Sequence, residues 1–84
     1  MTFSEALEII RTDGDAAIYR EGWNGVKAGK TMMVKTQLPD AGSVNTAPYA
    51  YIFVVSPDLP LGYKRLPWLV SQEDLYATDW KQVE

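Results

Sequence analysis

The chain has 84 residues, a formal net charge of −3, and neither cysteine nor histidine. At that length one domain buries only about 60% of the surface its unfolded chain exposes, so assembly with further subunits would strengthen a thin core. The missing residue types exclude disulfides and thiolate metal sites, remove the commonest general base and most zinc chemistry, and suit a cytosolic setting. The eight basic residues are dispersed, without the clustered charge of a duplex DNA or RNA binder. No apolar run approaches the roughly 20 residues that cross a bilayer, and the N-terminus lacks a signal pattern, so a soluble intracellular protein is expected.

Thr2-Phe3-Ser4-Glu5 has the spacing of a capping box, in which Thr2 accepts from the Glu5 amide and Glu5 answers the amide of Thr2. Phe3, Ala6, Leu7 and Ile10 follow on one helical face, with Glu5 and Glu8 on the other. Arg11 suits the negative end of the helix dipole, and Thr12-Asp13-Gly14 stops the helix, with Gly14 able to adopt a left-handed conformation. The pattern predicts a helix from about Phe3 to Thr12.

Ala16 to Arg20 ends in strand-favouring residues, and Glu21-Gly22-Trp23-Asn24-Gly25 breaks it into a tight turn carrying an aromatic. Trp23 there is either a lid over the core or a stacking platform for a planar ligand. Val26 to Lys30 reads as a basic, solvated loop. It is not a phosphate-binding P-loop, because the glycine before Gly29-Lys30-Thr31 stands one residue too close. Thr31 to Gln37 alternates, with Met32, Val34 and Thr36 on one face and Met33, Lys35 and Gln37 on the other. Leu38 to Pro48 is a long polar loop, either mobile or functional.

Tyr49 to Ser56 is the strongest strand signal, and both of its faces are apolar. One face meets the helix, and the other is expected to meet another subunit. After the turn-rich Ser56 to Gly62, Tyr63 to Leu66 forms a short strand that Pro67 stops. Ser71 caps a short helix with Gln72, Glu73 and Asp74 in its first turn, and Leu75 and Tyr76 are expected to face inward. Trp80 to Val83 reads as an edge strand. The result is a small α+β domain, with a mostly antiparallel sheet, an N-terminal helix and a short C-terminal helix, as a single domain over residues 1–84.

The carboxylates Glu73, Asp74 and Asp79 are better explained as helix-start residues than as a general acid–base pair. Asp13 and Asp15 lack the further ligands of a calcium loop, so no metal site is expected. A richer constellation is Arg20 and Trp23 at one turn with Trp68, Ser71, Gln72 and Asp74 at another. These supply aromatic faces, a cation, an amide, a hydroxyl and free backbone donors, the ingredients for a base, a ribose and a phosphate. An ordinary capped helix pinned by core tryptophans explains the same residues.

The helix beginning Thr2-Phe3-Ser4-Glu5-Ala6-Leu7 with Gly14 after it, the block Arg20-Glu21-Gly22-Trp23-Asn24-Gly25, and Pro67 to Trp80 together resemble the Thoeris anti-defence 2 family of small phage and prophage proteins. The blocks stand in the family's order and cover about half of the chain. The resemblance implies a sponge rather than an enzyme. Such a protein captures a cyclic ADP-ribose-type signal made by a bacterial TIR-domain immune protein, in the cytoplasm of the infected host, without degrading it. It further implies a homotetramer with pockets between subunits, with cyclic oligonucleotides as additional ligands of some members, and no catalytic residue, metal or cofactor. On this chain Trp23 would stack, Asn24 would make a polar contact beside it, Ser71, Gln72 and Asp74 would meet ribose and base, and Arg20 would meet a phosphate. Trp68 belongs to the same wall, and Trp80 to the core. The alternative is a protein–protein interaction module.

Overall fold

In the computed structural model the described residues are 1–23, 31–39, 42 and 47–83, with Thr31 described by its backbone alone. Helix α1 (Phe3–Arg11) begins with the anticipated capping box: the Glu5 amide donates to Thr2 Oγ1 at 3.2 Å and the Thr2 amide to Glu5 Oε1 at 3.0 Å. Both bonds satisfy donors that a helix start leaves open. The Glu5 carboxyl is held below the usual carboxylate range, chiefly by the bond from the Thr2 amide and then by one from the Thr2 hydroxyl.

The helix stops differently from the expectation. Gly14 is not among the described glycines with positive φ, which are Gly22, Gly42 and Gly62. Instead Asp13 makes the turn, its Oδ1 accepting from the Asp15 amide at 2.9 Å and its carbonyl from the Ala16 amide at 3.3 Å. A short carboxylate that bonds the backbone two residues on does the work assigned to a left-handed glycine.

The sheet comprises β1 (Ile18–Arg20), β2 (Thr31–Gln37), β3 (Tyr49–Val55), β4 (Tyr63–Pro67) and β5 (Trp80–Gln82), with α2 (Gln72–Tyr76) before the last strand. The strands lie in the order β4-β3-β2-β1-β5, and every pairing is antiparallel. The small α+β fold and the edge position of β5 are as anticipated. Pro67 is the last residue of β4 rather than its stop, paired in register with Tyr51, and an edge strand tolerates its missing amide.

One face of the sheet carries Ile18, Val34, Ile52 and Trp80, and α1 lays Ala6 and Ile10 on it, all of them buried. Full burial of an isoleucine side chain such as Ile10 contributes about 1.5 to 3 kcal/mol. The start of the chain lies along β5: the Met1 ammonium donates to the Trp80 carbonyl at 2.9 Å, and the Trp80 amide donates to the Met1 carbonyl at 3.2 Å.

The opposite face carries the odd positions of β3 and is rich in aromatics. Tyr51 is only 8% exposed, and the Arg65 guanidinium lies 3.9 Å above its ring. Phe53 is stacked on Tyr63 at 5.6 Å, with Lys35 Nζ 5.6 Å from its centroid. The second apolar face of β3 is therefore covered in part by cations and rings of the same chain. Among the described residues no helix is long and apolar enough to cross a membrane.

Candidate functional site

Three separated segments meet around Trp80. Arg20 ends β1, and the next residues form a tight turn in which the Trp23 amide donates to the Arg20 carbonyl at 3.1 Å. Gly22 occupies the third position of that turn with φ of 92°, a conformation that side chains disfavour. The turn brings the Trp23 ring edge-on to Trp80, with centroids 5.3 Å apart. Trp68, which follows β4, approaches Trp80 at 6.1 Å, and Phe3 of α1 contacts both rings. Edge-to-face pairs of this kind contribute about 0.5 to 1.5 kcal/mol each beyond the area they bury. Trp80 itself is 1% exposed, the core position anticipated for it.

Helix α2 is held against this cluster by its first turn. Ser71 is extended, with φ of −76° and ψ of 159°, and its Oγ accepts from the Asp74 amide at 3.1 Å, the cap read from the sequence. The Asp74 carbonyl accepts from Trp80 Nε1 at 3.0 Å. Its carboxylate accepts from Arg20 Nη1 at 2.9 Å, while Arg20 Nε donates to Asp79 Oδ1 at 2.9 Å. Glu73 reaches the same guanidinium at 3.6 Å from an exposed position.

This network turns α2 in a direction the sequence reading did not anticipate. Leu75 and Tyr76, expected to face inward, are 39% and 77% exposed. A helix of five residues can bury only a narrow stripe, and the bonds to Asp74 place that residue, with Ala77 after the helix, toward the body of the protein.

The electrostatics follow from the pairing. The Arg20 side chain is 18% exposed and that of Asp74 16%, so both charges are largely removed from water and need each other. The Arg20 guanidinium is pushed further above its ordinary range, first by the bond to Asp79 and then by the bond to Asp74. The Asp79 carboxyl is held below the usual carboxylate range, chiefly by its bond from Arg20.

Of the residues singled out from the sequence, Arg20, Trp23, Trp68, Ser71 and Asp74 come together here, directly or through Trp80. Gln72 opens α2 and is exposed, and Asn24 lies outside the described residues. The loop 26–30 also lies outside them, as does most of the Leu38 to Pro48 connection. Arg20, anticipated as a phosphate partner, is engaged by carboxylates. Asp79, weighed in the sequence only as a carboxylate beside Glu73 and Asp74, is here a partner of Arg20. A lone aspartate before a strand gives no local sign that it grips an arginine at the far end of the chain.

A cleft of about 350 Å³ opens beside the cluster, where β3 begins and β4 ends near Trp68, with Tyr49, Tyr51, Arg65 and Pro67 among its walls. A smaller hollow of about 130 Å³ lies between α1 and the start of β3. Trp68 is the candidate residue shared with the larger cleft.

The Tad2-like family model, described as the Thoeris anti-defense 2-like domain, matches residues 1–83. The chain belongs to the Tad2-like family. The match takes in the helix, the sheet and the α2 segment alike, so the Tad2-like assignment includes the segment between Lys27 and Leu66, which the three sequence blocks do not cover. No curated protein matches the chain closely enough to serve as a relative.

Proposed function

We propose that this Tad2-like protein is a nucleotide sponge, which binds a cyclic ADP-ribose-type immune signal in the cytoplasm of an infected bacterium and releases it unaltered when unfolded. The observation that carries the reading is the family match over residues 1–83, together with the aromatic cluster it encloses. Trp23 and Trp68 flank Trp80, and the capped start of α2 with Ser71 and Gln72 lies on the same side of the domain. Rings of this kind offer stacking worth about 1 to 3 kcal/mol per base. Asn24 is assigned the polar contact next to Trp23. Arg20 and Asp74 support this wall by holding each other.

Sequestration without chemistry is favoured by the residue types at hand. The chain has no histidine or cysteine, and the Asp74 and Asp79 carboxylates are committed to Arg20. An ionised carboxylate locked in an ion pair is a poor proton donor at neutral pH. A homotetramer fits the same reading, with the aromatic face of β3 completing its cover against further copies, and cyclic oligonucleotides are additional candidate ligands. The exposed Leu69, Leu75 and Tyr76 around α2 favour, as a second reading, a surface for a protein partner.

The test is calorimetric binding of cyclic ADP-ribose isomers, followed by heat denaturation and recovery of the nucleotide. Binding with intact release is expected. Conversion of the nucleotide during incubation would make the protein an enzyme, and no binding of any isomer at micromolar concentration would remove the sponge.

A further inference from the structure

We propose that the hollow between α1 and the start of β3 is a binding site for a small neutral molecule of the size of phenol, whose hydroxyl meets that of Thr36. The strand pattern makes the hollow. Thr36 shares the parity of the buried Val34 in β2, the face that α1 covers, and its partner in the β2–β3 register is Ala50. One step along the same face Val34 meets Ile52, which is large enough to pack against the helix. Ala50 is too small to do the same over Thr36. Leu7 and Arg11 of α1, with Pro48 and Tyr49, complete the walls of a space of about 130 Å³.

Size sets the class of occupant. Pockets for drug-sized ligands run from roughly 300 to 1,000 Å³, so a nucleotide is too large to be held here. An apolar cavity of about 150 Å³ holds a single benzene ring. Polarity then decides among molecules of that size. Thr36 is 6% exposed, and its hydroxyl makes no hydrogen bond to another described residue. A buried hydroxyl without a partner is costly, and native interiors normally supply one. Arg11 is engaged by Glu8 at 3.4 Å, while Leu7, Pro48 and Ala50 are apolar. The Thr36 hydroxyl is therefore the group that selects the occupant, and it asks for one neutral donor or acceptor on an otherwise apolar body.

The site contains neither a tryptophan, nor Arg20, nor any part of α2, and it does not rest on the sponge reading. A protein that ignores every cyclic ADP-ribose isomer yet takes phenol at Thr36 would lose the sponge and keep the site. The unpartnered hydroxyl also has a consequence that needs no ligand. Thr36→Val keeps nearly the same shape and removes a polar atom to which nothing in the chain is bonded, so the variant should be at least as stable as the parent.

The experiment is methyl and amide chemical-shift mapping of the full chain with phenol and toluene, two probes of similar size that differ in a hydroxyl. Phenol at millimolar concentration is expected to shift the signals of Leu7, Thr36 and Ala50, with toluene bound about fivefold more weakly, the effect of one hydrogen bond. Thr36→Val should abolish that preference and leave the Tm unchanged or raised. Ala50→Val, which adds bulk beside Thr36, should weaken both probes. No shift at these signals with either probe, the behaviour of a hollow that takes water alone, would overturn the proposal. So would equal affinity for the two probes in the parent, a preference that survives Thr36→Val, or shifts centred on Trp68 and Arg65 instead. A lowered Tm of Thr36→Val would overturn it as well, since the hydroxyl would then have a partner within the chain.

Discussion

Arg20 and Asp79 meet side by side, Nε 2.9 Å from Oδ1 and Nη2 3.5 Å from Oδ2, and so lock the end of β1 to the residue just before β5. The remaining arm of the guanidinium holds Asp74 on α2. One side chain thus fixes the short helix whose start forms the proposed nucleotide wall.

Removing that side chain should unfasten α2. Arg20→Gln is expected to lower the midpoint of urea unfolding, because the Asp74 carboxylate is left largely buried without its partner. Asp74→Asn should cost more than Asp79→Asn, since Asp79 is the more exposed and the better screened of the two. Equal stability of all three variants with the parent would show that the cluster contributes nothing.

Acid should act through Asp79 and Glu5, the carboxyls held below their usual range. A carboxyl whose folded pKa is depressed gives stability that is complete above its unfolded value, about 3.9 for Asp and 4.3 for Glu, and lost as pH falls through the folded value. Stability measured by denaturant titration should therefore be level with respect to these groups near neutral pH and decline below about pH 4. Asp79→Asn should make that decline shallower, and a decline of unaltered steepness would remove Asp79 as a contributor.

The cap on α2 is open to a local test. Ser71→Ala should raise the hydrogen-exchange rate of the Asp74 amide, which donates to Ser71 Oγ, and reduce stability by about 1 kcal/mol at most. Amides of α1 should be unaffected.

Trp80 joins the helix, the tryptophan turn and α2. Trp80→Ala should cost about 3 to 5 kcal/mol. Trp80→Phe should recover much of the packing but leave the Asp74 carbonyl without the indole donor now 3.0 Å away. Thermal unfolding of the pair separates the packing loss from the hydrogen-bond loss.

What the sequence discloses is what local chemistry determines. Thr2 and Glu5 are three residues apart, and Ser71 and Asp74 likewise, so both caps could be read directly. The order of helices and strands follows from the same short-range patterns. The grip of Arg20 spans 54 residues to Asp74 and 59 to Asp79, and no periodicity reports a contact so distant. The orientation of Leu75 and Tyr76 depends on that grip, and for that reason their inward placement fails. The placing of Arg65 over Tyr51 needs the β3–β4 register, in which Phe53 faces Arg65 and Tyr51 faces Pro67. Gly14 shows the reverse case, since a glycine after a helix points to a left-handed cap while Asp13 supplies an equivalent turn.

Both outer strands carry devices against indiscriminate strand addition. Strand β4 presents its free edge with Lys64, Arg65 and Pro67 among its five residues, and β5 ends the other side after three residues that include Lys81. Charge, a missing amide and brevity each make an edge a poor template for a foreign strand. Growth of this sheet by strand addition at β4 or β5 is thereby disfavoured, even though β3 within it is apolar on both faces.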